Sequence, residues 1–212
     1  RPGTNRHCAL EGFLLFISPH SDLLMMNAEI LTKSGAPAPP TDAHDSPRRH
    51  ALFLMATALL LSLVCGWLFL SGNRFSCFCH PDEWGKVSQI RTGERNFHHP
   101  MLMLNTVQAV FAISGLEPEP QTIARLGRSV TAVFATATVL LFSGAAYVAA
   151  GRLAGVLCGV FLLCIPLLTA LAHFFKEDPA MTMGLGASFL AMALYRRKPG
   201  LRRLVLLAMG LA

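Results

Sequence analysis

Three acidic residues stand where a membrane protein could use them. Asp82 and Glu83 follow His80 and Pro81 just past one apolar segment, and Asp178 follows Lys176 and Glu177 just past another. A carboxylate at a membrane boundary can take a proton from an acceptor hydroxyl, or help hold a divalent cation against a phosphate leaving group. His98, His99, Arg125 and Lys176 are the candidates for gripping phosphate oxygens, arginine being suited to two-pronged contact. The same residues also have plainer roles. Acids in a loop are commonly solvated surface, and a Lys-Glu-Asp run before a helix can serve as a cap. His98-His99-Pro100 fits a helix entry, His173 fits a helix interface, and Arg125 and Arg128 fit anchors at the lipid headgroups. Cys77-Phe78-Cys79-His80 lacks the two-residue gap and second ligand pair of a zinc site.

The elements that must position these residues are read from hydropathy. Of 212 residues, 53% are hydrophobic and only 14% charged, with a mean hydropathy of +0.48, which is too apolar for an ordinary soluble domain. The net charge of +6 would raise the question of nucleic acid in a soluble chain. Here the cations sit at the ends of apolar runs, as Arg48-Arg49, Arg152, Arg196-Arg197-Lys198 and Arg202-Arg203. That placement suits cytoplasmic loop anchors, and no nucleic-acid partner is expected. Three of the six cysteines, Cys65, Cys158 and Cys164, lie inside apolar runs as small hydrophobes, so no disulfide framework is implied.

Residues 1–50, with Pro37, Pro39, Pro40 and Pro47 among polar neighbours, read as a disordered cytoplasmic leader. Met25 or Met26 would serve as initiator, placing residues 1–24 upstream of the true start. Spans are expected at about 51–71, 129–150, 153–175 and 179–195, with an incomplete one at 204–212. Pro166 falls inside the third, where membrane helices tolerate it. Residues 101–116 are apolar but short, and carry Asn105 and Gln108. If they spanned, the five basic residues between Arg196 and Arg203 would fall outside, against the positive-inside rule. Lying flat, they leave every basic cluster on the cytoplasmic side and put the acidic loops 81–94 and 176–178 together on the other. The expected fold is therefore all-α, a polytopic transmembrane helix bundle with juxtamembrane helices in the first extracytoplasmic loop.

The order of motifs carries a resemblance. His80-Pro81-Asp82-Glu83 follows the first span, Phe97-His98-His99-Pro100-Met101-Leu102 comes next, Ala124-Arg125-Leu126 opens a helix, and Asp178-Pro179 follows a later span. Over residues 50–200 this resembles the GT-C membrane glycosyltransferases, most closely the protein O-mannosyltransferase-like and aminoarabinose-transferase-like branches. The resemblance implies that residues 51–212 are the N-terminal part of a larger transmembrane domain. It implies inverting transfer of a sugar from a polyprenyl-phosphate carrier to a protein, lipid or glycan acceptor, at the periplasmic face of a bacterial inner membrane. Asp82 would match the acid that activates the acceptor, and Asp178 the acid of the second loop. Glu83 and Asp178 would orient the acceptor or help bind a divalent cation, the one candidate cofactor. The rival classes are a transporter or flippase bundle, which calls for charges along a path inside the spans, and a noncatalytic membrane scaffold.

Overall fold

The structure, a computed structural model, describes residues 47–73, 80–95 and 101–202, together with Val205 and Met209. The expected leader, residues 1–50, lies almost wholly outside the described residues. The described residues form helices and no strand: α1 (Pro47–Leu70), α2 (Pro81–Thr92), α3 (Leu102–Ser114), α4 (Pro120–Ala150), α5 (Arg152–Leu163), α6 (Pro166–Ala172) and α7 (Asp178–Arg197).

Two of these helices are long and apolar enough to cross a bilayer, Arg48–Leu70 and Pro120–Ala150. The pair α5 and α6 makes a third if it counts as one broken span, its halves bent by 65°. The continuous helix expected over 153–175 is thus two helices. Pro166 has no N–H to offer, and its ring forces the preceding residue off the helix, so Ile165 is extended at φ −80°, ψ 109°. α7 has 20 residues, but Asp178, Arg196 and Arg197 with its Gly, Ser and Thr residues keep it out of the strongly apolar group. The expected stub at 204–212 falls mostly outside the described residues. The face of α1 turned away from its buried Leu61, Cys65 and Phe69 carries large apolar side chains in the open, Leu52, Met55, Leu59, Leu60, Leu63 and Trp67 each being more than 60% exposed. A helix in water would bury one such face, so lipid is the solvent these residues suit.

α4 is the spine. At 31 residues it is about 46 Å long, well beyond the ~30 Å of hydrocarbon, so roughly ten residues reach past the apolar layer. It begins nine residues before the expected span, with Pro120 fixing its first turn. Those early turns meet α2 and α3 in a cap whose core is Val87, Met103, Leu104, Val107, Ile123, Ala124, Val130 and Phe175. α3, with 13 residues or about 20 Å, is too short to cross.

Further along, Ala132, Ala135 and Val139 of α4 pack on Cys65 and Phe69 of α1 and on Leu168 and Ala172 of α6. α1 runs opposite to α4, since its other end brings His50 to Tyr147 Oη at 3.5 Å and to Arg152 Nη2 at 2.9 Å. α7 runs with α4, Pro179 O accepting from Thr138 Oγ1 at 3.3 Å and Phe189 meeting Phe142 at 5.6 Å. α5 lies close on α4 because Gly159 is bare: a Cβ there would sit 2.6 Å from Ser143 Oγ and 2.9 Å from the Leu61 side chain.

Candidate functional site

α2 is a well-marked helix. Pro81 occupies its first turn, His80 caps it by accepting the Asp82 N–H on Nδ1 at 3.2 Å, and Gly93 ends it at φ 74°, a left-handed conformation that glycine adopts without strain. Its buried residues are Glu83, Lys86 and Val87, the i, i+3, i+4 pattern of a single face. Asp82 lies outside that face. One step along a helix turns about 100°, so two adjacent acids are sent to different surroundings.

Glu83 is wholly buried. Its Oε1 accepts from Arg128 Nε at 2.8 Å and its Oε2 from Arg128 Nη2 at 2.7 Å, both side chains being 0% exposed. The same Oε1 accepts the backbone N–H of Phe175 at 3.0 Å. One carboxylate therefore ties α2 to α4 and to the segment between α6 and α7. The Phe175 ring lies over Gly127, where any Cβ would overlap its ring atoms. Lys86 makes a second tie, its Nζ 2.7 Å from Glu177 Oε2, with both side chains nearly buried. His173 makes a third, with Nε2 at 3.1 Å from Ser71 O and Nδ1 at 2.7 Å from Thr169 O.

Between the first two ties, the remaining pair faces outward. Lys176 Nζ is 2.7 Å from Asp82 Oδ2, and the Asp82 side chain is 51% exposed. The hydrogen bond from Lys176 holds the Asp82 carboxyl below the usual carboxylate range, partial burial opposes this, and the charges of Lys176 and Lys86 add to the lowering. Lys176 is pushed up in turn, first by its hydrogen bond with Asp82, against desolvation, then by the charges of Asp82, Asp178 and Glu177. His80 Nδ1 stands 3.5 Å from Asp82 Oδ2, but it already accepts the Asp82 N–H, so that approach is not a hydrogen bond.

The site residues expected from the sequence thus divide. Asp82 and Lys176 are in contact, and Asp178, half-buried at the first position of α7, is near enough to act on Lys176. Glu83 is drawn inward into the clamp. Arg125 is exposed near the start of α4, and among the described residues no polar contact joins it to Asp82, Lys176 or Asp178. His98 and His99 lie outside the described residues. Among the described residues no three His, Cys, Asp or Glu side chains converge to hold a metal ion. Three charged members of the arrangement are not picked out as site residues by sequence reasoning, Arg128, Lys86 and its partner Glu177. A signal for Lys86 was present in its spacing of three from Glu83, whereas nothing in the order of residues distinguishes Arg128 from Arg125. Comparison with known protein families, curated proteins and solved structures finds no match.

Proposed function

We propose that this protein is a membrane glycosyltransferase of the GT-C kind, moving a sugar from a polyprenyl-phosphate carrier to an acceptor hydroxyl at the end of the bundle that carries the cap. The observation that carries the reading is the outward-facing Asp82–Lys176 pair, 2.7 Å apart and braced by two nearly buried ion pairs just beyond the apolar helices. A lipid-linked donor keeps its long chain in hydrocarbon while its sugar phosphate meets polar groups at the boundary. Acids and a lysine at helix ends suit that geometry.

In the reaction the acceptor oxygen attacks the anomeric carbon while its proton passes to Asp82. The bond from that carbon to the phosphate oxygen breaks, and its electron pair leaves on the phosphate. A single displacement of this kind inverts the carbon. An aspartate held by a lysine stays ionised but is a weak base. The incoming phosphate offers Lys176 a more highly charged partner, and as the ammonium turns toward it, Asp82 regains basicity where the acceptor arrives. Asp178 completes the polar surface around Lys176, and Arg125, His98 and His99 are the candidates for the other phosphate oxygens. Glu83 and Arg128 act by position, holding Asp82 and Lys176 opposite one another. The described carboxylates lie at the ends of the helices, not along them, an arrangement that favours chemistry at the boundary over passage through the bundle.

The test uses the full-length protein with polyprenyl-phosphate-linked mannose and aminoarabinose as donors. Asp82→Asn keeps size and removes charge, and transfer should fall by roughly 10²- to 10⁴-fold with the protein still inserted. Glu119→Gln, outside the pair, should leave transfer unchanged. Equal turnover by wild type and Asp82→Asn would refute the role given to Asp82.

A further inference from the structure

Charge is divided along the bundle. Every described carboxylate falls at residues 82–94, 117–119 or 177–178, all at the cap end of α4. At the other end, where α4 and α7 finish side by side, stand Arg196 and Arg197 with no described carboxylate near them. A cleft of about 440 Å³ opens there between the two helices, with Arg196 and Arg197 among the residues that line it. Its walls include Ala145, Ala149, Phe189 and Ala193. The helices are tight at Gly186, where a Cβ would lie 3.1 Å from the Phe142 ring, and they part further along where alanines face alanines.

The electrostatics of this end favour an anion. Each helix C-terminus carries roughly half a negative charge, about −1 for the two together, against +2 on the arginine pair. An excess of about one positive charge then sits at the rim of apolar walls. A small anion would satisfy the arginines and leave the walls bare, and a hydrocarbon would do the reverse. An occupant with an anionic head and an apolar tail satisfies both. The slot on the opposite flank of α4 is a poorer candidate at about 100 Å³, because its arginine, Arg152, already lies over the Phe53 ring at 5.3 Å and contacts His50 at 2.9 Å.

We propose that the cleft between the last turns of α4 and α7 seats an anionic glycerophospholipid. Its phosphate is held by Arg196 and Arg197, and one acyl chain lies between the helices along Ala145, Ala149 and Ala193. Guanidinium groups suit phosphate, and basic pockets between membrane helices commonly take acidic headgroups. This site is separate from Asp82 and stands whether or not the protein transfers a sugar.

The experiment titrates full-length protein in detergent with phosphatidylglycerol, phosphatidylcholine or inorganic phosphate, reading bound lipid by native mass spectrometry. Phosphatidylglycerol should bind at least tenfold more tightly than phosphatidylcholine, and millimolar phosphate should not displace it. Arg196→Gln with Arg197→Gln should lower that affinity at least tenfold. Ala149→Leu, which fills the cleft without changing charge, should do the same, and Ala193→Leu provides a second filling variant if the first does not insert. Loss in the arginine variant with full binding in a filling variant would mean diffuse attraction to a basic surface and would overturn the site. No preference for phosphatidylglycerol, as when another helix of the chain fills the cleft, would also overturn it, and displacement by phosphate would assign the arginines to a free anion instead.

Discussion

Replacing Arg128 by Met probes the clamp most directly. The substitution roughly keeps volume but takes from Glu83 the guanidinium that binds both its oxygens at 2.7–2.8 Å in a site with no exposure. The protein can leave the carboxylate ionised in a dry environment or protonate it. Protonation bounds the cost: bringing a group with the ordinary value of about 4.3 to the neutral form at pH 7 takes about 3.7 kcal/mol, within the roughly 3–5 kcal/mol typical of breaking a buried pair. In the variant the folded Glu83 would have a raised pKa, so the deficit is greatest at neutral pH and shrinks as pH falls, by about 1.4 kcal/mol per unit, to about 1 kcal/mol at pH 5. Adding Glu83→Gln removes the charge but keeps an oxygen for the Phe175 N–H. The double variant should therefore recover at least about 2 kcal/mol. Denaturant unfolding of the purified protein in detergent, at pH 7 and pH 5, measures all four members of the cycle. An Arg128→Met variant as stable as wild type, or a deficit independent of pH, would refute the clamp.

The other expectations concern the same end of the molecule and its sidedness. Gly127→Ala should displace Phe175 and with it the N–H held by Glu83, lowering thermal stability by several degrees and reducing transfer even though no acid or base is altered; unchanged values for both would show that Phe175 can move at no cost. The Asp82–Lys176 contribution to stability should be constant from pH 7 to 5. Because the Asp82 pKa is lowered on folding, that contribution is present above the ordinary aspartate value of 3.8 and fades as pH falls below it, so the melting difference between wild type and Lys176→Gln should narrow only in acid; narrowing already between pH 7 and 5 would contradict the assignment. At the alkaline edge the sign reverses, since Lys176 is raised and its contribution is lost only as pH climbs past 10.5. In intact cells a membrane-impermeant thiol reagent should label Glu94→Cys and not Arg197→Cys, and the opposite pattern would invert the topology on which the proposed site depends.

Hydropathy and proline placement were enough to anticipate much of the scaffold. The uncharged run after Ala51 lies in α1, Pro179 stands in the first turn of α7 where a span was expected to begin, and residues 102–114 form a helix too short to cross, whereas α4 begins at Pro120, ahead of its expected start. These outcomes are local, because helix starts and apolar length depend on a residue and its near neighbours. The same reading took Pro166 as tolerable within one helix, yet the chain bends there by 65°, since the room for a break is set by what α6 packs against.

The site was legible in residue types and much less in roles. Asp82 and Glu83 are equivalent on paper, and so are Arg125 and Arg128. Which member of each couple is buried depends on the face α2 turns toward α4, and on Phe175 arriving from nearly a hundred residues away to close the pocket over Gly127. Burial turns Glu83 and Arg128 into a tie, while exposure leaves Asp82 beside Lys176, where it can meet a substrate. Sequence alone places acids and bases at the ends of apolar helices, because solvation by lipid or water is a property of a segment. Pairing is a property of surfaces that meet only after the helices have packed, and so the tertiary structure alone decided which carboxylate was buried and which was left exposed.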